Sequence, residues 1–256
     1  MSAHTPTSTR AVPGMFPGLI AIARRELAGY FRQPAGWIII ALMLLMTGVV
    51  FALIVLVPGR PASMRAFFEA SGWLLLPVAP AISMRLLAEE LRSGTIEPLL
   101  TSPLSGPALI LGKFVGAALF LLAMLAPTLL LPVMLMALSD PRPDIGPIGA
   151  GYLCLVLLGM LYTSVGLFAS ACTSNATLAF LVTLFGILGL LLVGSGSQAP
   201  WLPEWARAAC EGLSTRPRVG DFAKGVIDTA HVVYFLTATA CFLLLSGATM
   251  HLRRAA

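Results

Sequence analysis

The sequence has 256 residues, of which 58% are hydrophobic and 11% charged. A soluble domain carries about 25% charged and about 45–50% apolar residues, so this chain lacks the polar surface to fold in water and reads as an integral membrane protein. Its formal charge of +5 does not point to nucleic acid, because Arg24, Arg25, Arg32, Arg253 and Arg254 flank apolar runs, where cations set membrane topology.

The opening MSAHTPTSTRAVPG has no short apolar core and no small-residue cleavage site of the kind a signal peptide carries. Residues 1–14 are expected to form a disordered tail. In LIAIARRELAGYFRQP, which follows, Ile20, Ala23, Leu27, Tyr30 and Phe31 recur at three- and four-residue intervals and share a helical face. Arg24, Arg25 and Arg32 fall mostly elsewhere around that helix. It is expected to lie in the headgroup plane against membrane lipid, apolar side down; packing on another protein is the alternative. Pro34 ends it and turns the chain into the membrane.

A membrane-crossing helix needs about 20 mostly apolar residues. Six runs meet that length, at approximately 35–57, 70–88, 108–138, 150–171, 177–193 and 232–251. The expected fold class is therefore all-α, a polytopic membrane protein with six transmembrane helices, and residues 15–256 read as a single transmembrane domain. Pro77 and Pro80 in the second run, and Pro127 and Pro132 in the third, remove backbone donors and mark kinks or tolerated bends.

Six spans place both termini on one side. Arg24, Arg25 and Arg32 before the first span, against Arg60 and Arg65 after it, put that side in the cytoplasm. Residues 194–230 then form an external cap, too small to be an independent domain. In it Trp201 and Trp205 suit an interfacial helix, Phe222, Val226 and Ile227 fall at helical spacing, and Asp221, Lys224 and Asp228 can stay wet or snorkel.

Between the second and third spans stands EELRSGTIEPLLTSPLSGPALILGKF, the one long charged and turn-rich passage between apolar runs. It is not a nucleotide loop. A phosphate-binding loop needs G-x-x-x-x-G-K-[ST], with backbone amides around the phosphates and a hydroxyl on magnesium. Here Gly106 and Gly112 enclose five residues, and Lys113 is followed by Phe114.

Paired Glu89 and Glu90 raise the possibility of a membrane protease, but no second catalytic group joins them. His4 is in the tail, and His231 and His251 sit near opposite ends of one span, too far apart to share a metal. Cys154, Cys172, Cys210 and Cys241 have neither C-x-x-C spacing nor a nearby His. No catalytic, cofactor-binding or metal residue is assigned, no cofactor is expected, and the chain reads as non-catalytic.

The passage has instead the pattern of a loop built to be held. Arg85 and Glu89 are four apart and can pair as the second span ends. Gly94 frees the chain to turn, and Thr95 can cap a short helix with Glu97 in its first turn. Ile96, Leu99, Leu100 and Leu104 supply apolar knobs, and Pro103, Ser105 and Pro107 close the helix and start the next span.

This loop resembles that between spans two and three in permease subunits of ABC-2 type transporters. The nearest subgroup comprises gliding-motility permeases and those of nitrous-oxide-reductase maturation. ARRELAGYFRQPAGWI is similar to that subgroup's first span, and FAKGVIDTAHVVYFLTATACFLLL to its last. Pro98 departs from the pattern, since the family usually has an apolar helix former there.

The resemblance implies a six-span permease with an N-terminal interfacial elbow helix and a short cytoplasmic coupling helix. It implies a homo- or heterodimer of permease subunits that binds a separate ABC ATP-binding subunit. Matched residue by residue, Glu89, Glu90, Arg92, Gly94, Thr95 and Glu97 fall on the family's ATPase-docking segment. The implied function is ATP-driven translocation, with export as the expected direction. An anchor that passes ATPase work to an external partner without moving a solute is the alternative.

Overall fold

The computed structural model describes residues 15–57, 62–94, 106–140, 143–196 and 203–255. The tail at 1–14, Thr95, Glu97, the short helix expected up to Leu104, and Trp201 lie outside the described residues.

Every regular element among the described residues is helical. α1 (Met15–Arg32) precedes α2 (Pro34–Val50), which continues into a π-helical turn, Phe51–Val55. α3 (Arg65–Ser83) is followed by a turn at 84–87 and the short α4 (Ala88–Ser93). α5 (Gly106–Leu125), a 3-10 turn (Ala126–Leu129) and α6 (Leu130–Leu138) form one broken span. α7 (Ile145–Cys172) and α8 (Ala176–Ser195) come next, then α9 (Glu204–Leu213), α10 (Arg216–Ala223) and α11 (Thr229–Ala255).

Six helical stretches among the described residues are long and apolar enough to cross a membrane: 34–55, 65–93, 106–138, 145–172, 176–194 and 229–253. The chain is an all-α, multi-pass membrane protein. The second span begins five residues before its apolar run because Phe67 and Phe68 are buried, which carries Arg65 and Glu69 into the helix. Composition alone excluded that charged turn.

α7 is the hub. In its apolar window 78% of residues are buried, against 17% in α8 and in α11, and it touches α3, α5, α8, α10 and α11. A span buried on all sides has no amphipathic stripe, and α7 is accordingly apolar all round.

The prolines act unequally. Pro77 and Pro80 lie inside α3 without ending it, whereas Pro127 sits in the 3-10 turn that breaks the third span. Thr128 adds a local bond there, its Oγ1 donating to Leu125 O at 2.7 Å. The π-turn Phe51–Val55 has no proline and no sequence signal.

Among the described residues the cap contains α9 and α10. Arg218 donates to Ser214 O and Gly212 O and lies 3.7 Å over the Tyr234 ring, whose hydroxyl donates to Leu213 O at 2.7 Å. Phe222 is buried, as its spacing suggested, but Val226 and Ile227 are exposed. α10 stops at Ala223 and Gly225 turns the chain at φ 88°, so those two leave the helix on which their spacing placed them. Lys224 pairs with Asp221 at 3.5 Å, and Asp228 caps α11 through Ala230 N at 2.9 Å.

Candidate functional site

The paired glutamates are separated by α4 itself. Adjacent positions on a helix point about 100° apart, and here that rotation sends one carboxylate out and the other in. The Glu89 side chain is 56% exposed and faces Arg85 at 3.6 Å, the i,i+4 pair expected from the spacing. The Glu90 side chain is 16% exposed, and its Oε1 lies 2.8 Å from Lys113 Nζ.

Lys113 is 1% exposed, deep at the start of the third span. Its Nζ also meets Glu26 Oε1 on α1 at 2.8 Å. Arg25 Nη2 closes the group, 3.2 Å from Glu90 Oε1 and 3.6 Å from Glu26 Oε1. Two cations face two carboxylates, so the cluster is neutral. A buried lysine is tolerated only when its charge is paired and hydrogen-bonded, and here both carboxylates reach it. The cluster joins three elements: the elbow α1, the segment leaving span two, and span three.

Close backbone approach makes the cluster possible. α1 packs along α5, and Gly112 and Gly116 on α5 face it. A Cβ at Gly112 would lie 2.8 Å from Ile22 Cβ, and one at Gly116 would lie 2.7 Å from Glu26 Cβ and 2.9 Å from Ala23 O. The two glycines let α1 settle onto α5, bringing Glu26 level with Lys113. Thus the glycine and lysine of the failed phosphate loop serve helix packing and charge pairing. The inner face of α1 is built from Ile22, Ala23 and Glu26, with Leu27, Tyr30 and Phe31 against the core, while Ile20 is exposed. That face rests on span three.

Two further side chains fix the turn between span two and α4. Ser170 Oγ on α7 accepts from Leu87 N at 3.0 Å and from Ala88 N at 2.9 Å, and donates to Met84 O at 3.1 Å. One hydroxyl thus serves the end of one helix and the start of the next. On the other side, Tyr30 OH donates to Ile82 O at 2.7 Å, and its ring stacks on Phe120 at 4.4 Å. Burial first, then the charges of Glu26 and Glu89, push Tyr30 ionisation above the ordinary tyrosine range, so the hydroxyl stays a donor.

Arg92 is exposed and Gly94 ends α4 at φ 69°, a left-handed value that favours glycine. Glu89, Glu90, Arg92 and Ser93 line an open recess at this end of the bundle. The C-terminus returns to the same end, where Arg253 Nη2 donates to Cys172 O at 2.9 Å. Of the six residues matched to the docking segment, Glu89, Glu90 and Arg92 border that recess and Gly94 ends α4, while Thr95 and Glu97 lie outside the described residues. Sequence reasoning missed Arg25 and Lys113 as partners of Glu90, and Glu26 as the second carboxylate on Lys113. The available signals were a lone lysine inside an apolar run and a glutamate on the apolar side of the elbow.

A family model described as ABC-2 family transporter protein matches residues 62–236, taking in spans two to five, the cap and the start of the sixth span. The chain belongs to the ABC-2 transporter family. It is thereby a membrane transport component, and a permease role follows for its six spans. No curated protein matches the chain. The elbow helix and first span lie outside the matched residues, and Arg25 and Glu26 join the site through their ion pairs with Glu90 and Lys113.

Proposed function

We propose that this ABC-2 permease chain forms a dimeric export pathway driven by a separate ATP-hydrolysing subunit. That subunit docks on Glu89, Glu90, Arg92, Gly94, Thr95 and Glu97. The observation that carries the proposal is the division of labour between the paired glutamates. Glu89 and Arg92 face out, where a partner can reach them, while Glu90 pairs inward with Lys113, which Glu26 also reaches, and with Arg25. A surface that is only solvated has no need of a buried lysine behind it.

Closure of the partner around ATP displaces α4. Because Glu90, Lys113 and Glu26 tie α4 to span three and the elbow, and Ser170 ties it to span four, the displacement moves packed helices together. The work comes from the partner's differential affinity for the two arrangements. In this reading the docking face is cytoplasmic, an orientation that Arg24, Arg25 and Arg32 before the first span favour. ATP hydrolysis belongs to the partner, and this chain is non-catalytic.

A photocrosslinker at Arg92, in native membranes, is expected to capture a soluble ATP-hydrolysing subunit. Capture of lipid alone contradicts docking at this face. If an ATPase is captured but ATP drives no flux in vesicles, the chain transmits work to an external partner through its cap and moves no solute.

A further inference from the structure

Beneath the cap, at the end of the bundle opposite Glu90, α3, α7, α8 and α10 border a cavity of about 260 Å³. Its lining divides by chemistry. Leu158 and Trp73 are largely apolar, Tyr162 is amphipathic, and Thr215, Arg216 and Glu69 are polar. We infer that this cavity binds an anionic amphiphile, with a phosphate or carboxylate headgroup at Arg216 and Thr215 and an apolar tail leaving past Trp73.

Three observations carry this assignment. Thr215 precedes α10, where a hydroxyl normally accepts from the helix's first amides, yet it makes no such bond. It is 1% exposed, and its Oγ1 is buried without a hydrogen-bond partner. A buried hydroxyl left unpaired is costly, and a headgroup oxygen would satisfy it.

Arg216 has no carboxylate partner among the described residues, and its guanidinium lies 5.7 Å from the Trp73 ring centroid. Glu69, the one acid in the lining, is paired with Arg65 at 3.1 Å. The wall therefore keeps one uncompensated positive charge, which selects an anion. Finally, the volume is below that of a usual drug-sized pocket, about 300–1,000 Å³. It holds a headgroup and the first carbons of a tail, while the exposed Trp73 marks the way out. This inference concerns binding and stands whether or not α4 is the docking element.

The test measures saturable binding of dodecyl phosphate to the full chain in phosphatidylcholine nanodiscs, with thermal melting followed in parallel. Arg216→Gln is expected to weaken binding about tenfold, the loss of one charge-assisted contact, and Thr215→Val to weaken it severalfold. Lys224→Gln, a charge change on the same cap outside the cavity, should leave affinity unchanged, and none of the three should melt below the wild type, with Thr215→Val, which removes an unpaired buried hydroxyl, melting at or above it. Competition by phosphatidylglycerol in the disc identifies a bilayer lipid as the source. Binding without such competition identifies a soluble amphiphile. Equal affinity of wild type and Arg216→Gln overturns the inference, as does inorganic phosphate binding as tightly as dodecyl phosphate. An effect of Lys224→Gln as large as that of Arg216→Gln also overturns it.

Discussion

Lys113 Nζ and Glu90 Oε1 lie 2.8 Å apart across two elements separated in sequence by the whole loop between spans two and three. That contact makes the loop's first turn a part of the bundle. Removing one partner of a buried pair strands the other's charge, at about 3–5 kcal/mol. Lys113→Met should therefore destabilise the chain, because Glu26 and Glu90 then share only the exposed Arg25 and the cluster carries a net negative charge. Adding Glu90→Gln should recover part of the loss. Thermal unfolding of the single and double variants in the same detergent measures both.

The same pair changes how the docking face must be probed. Reversing Glu90 to Lys sets a third cation beside Lys113 and Arg25, so loss of a partner in that variant would report damage to the bundle. Glu89→Lys and Arg92→Glu touch only exposed side chains. Apart from a like-charge Arg85 contact of about 0.2–0.5 kcal/mol, they should leave stability alone. Near-identical melting of Glu89→Lys and wild type is the expected result.

Gly116→Val tests the seat of the elbow. A side chain there meets Glu26 Cβ and Ala23 O within 3 Å, and overpacking of this kind costs about 1–3 kcal/mol. Gly149→Ala, on α7 with nothing within 4 Å, should be silent. Cysteine cross-linking between α1 and α5 should fall in the first variant and hold in the second.

Ser170→Ala strands Leu87 N and Ala88 N. A helix cap of this sort is worth about 0.5–2 kcal/mol, and the expected sign is local loosening of α4. Hydrogen exchange at residues 87–91 should accelerate while the core of α7 stays protected.

Tyr30 supplies a pH test. Its ionisation is raised in the fold, so its stabilising contribution is fully present below the unfolded tyrosine value of about 10. It is lost as pH rises through the higher folded value. The stability gap between wild type and Tyr30→Phe, about 1 kcal/mol for one hydrogen bond, should be flat from about pH 7 to 9 and shrink above about 10. Chemical denaturation across that range measures it.

The spans were legible because bilayer thickness imposes a length and a composition that few other constraints share. Arg85–Glu89 and the turn at Gly94 were legible for a similar reason: each is a local rule of spacing or backbone conformation. Glu26–Lys113 was not. It joins residues on two elements, and nothing in either stretch names the other. Only the approach permitted by Gly112 and Gly116 makes them neighbours. Val226 and Ile227 erred in the opposite sense, since a helical spacing was present but Gly225 had already turned the chain. The unpaired Thr215 hydroxyl belongs to the same class as Lys113, visible only once the cap sits on α3, α7 and α8.

The most direct measurement is affinity purification of the tagged chain from native membranes in mild detergent, beside Glu89→Lys/Arg92→Glu and Glu90→Gln. Each eluate is assayed for ATP hydrolysis and for a co-purifying soluble subunit. Wild type and Glu90→Gln are expected to bring down an ATPase, with Glu89→Lys/Arg92→Glu losing it while melting normally. An eluate without any ATPase from wild type, or an ATPase retained undiminished by Glu89→Lys/Arg92→Glu, would contradict docking on this face.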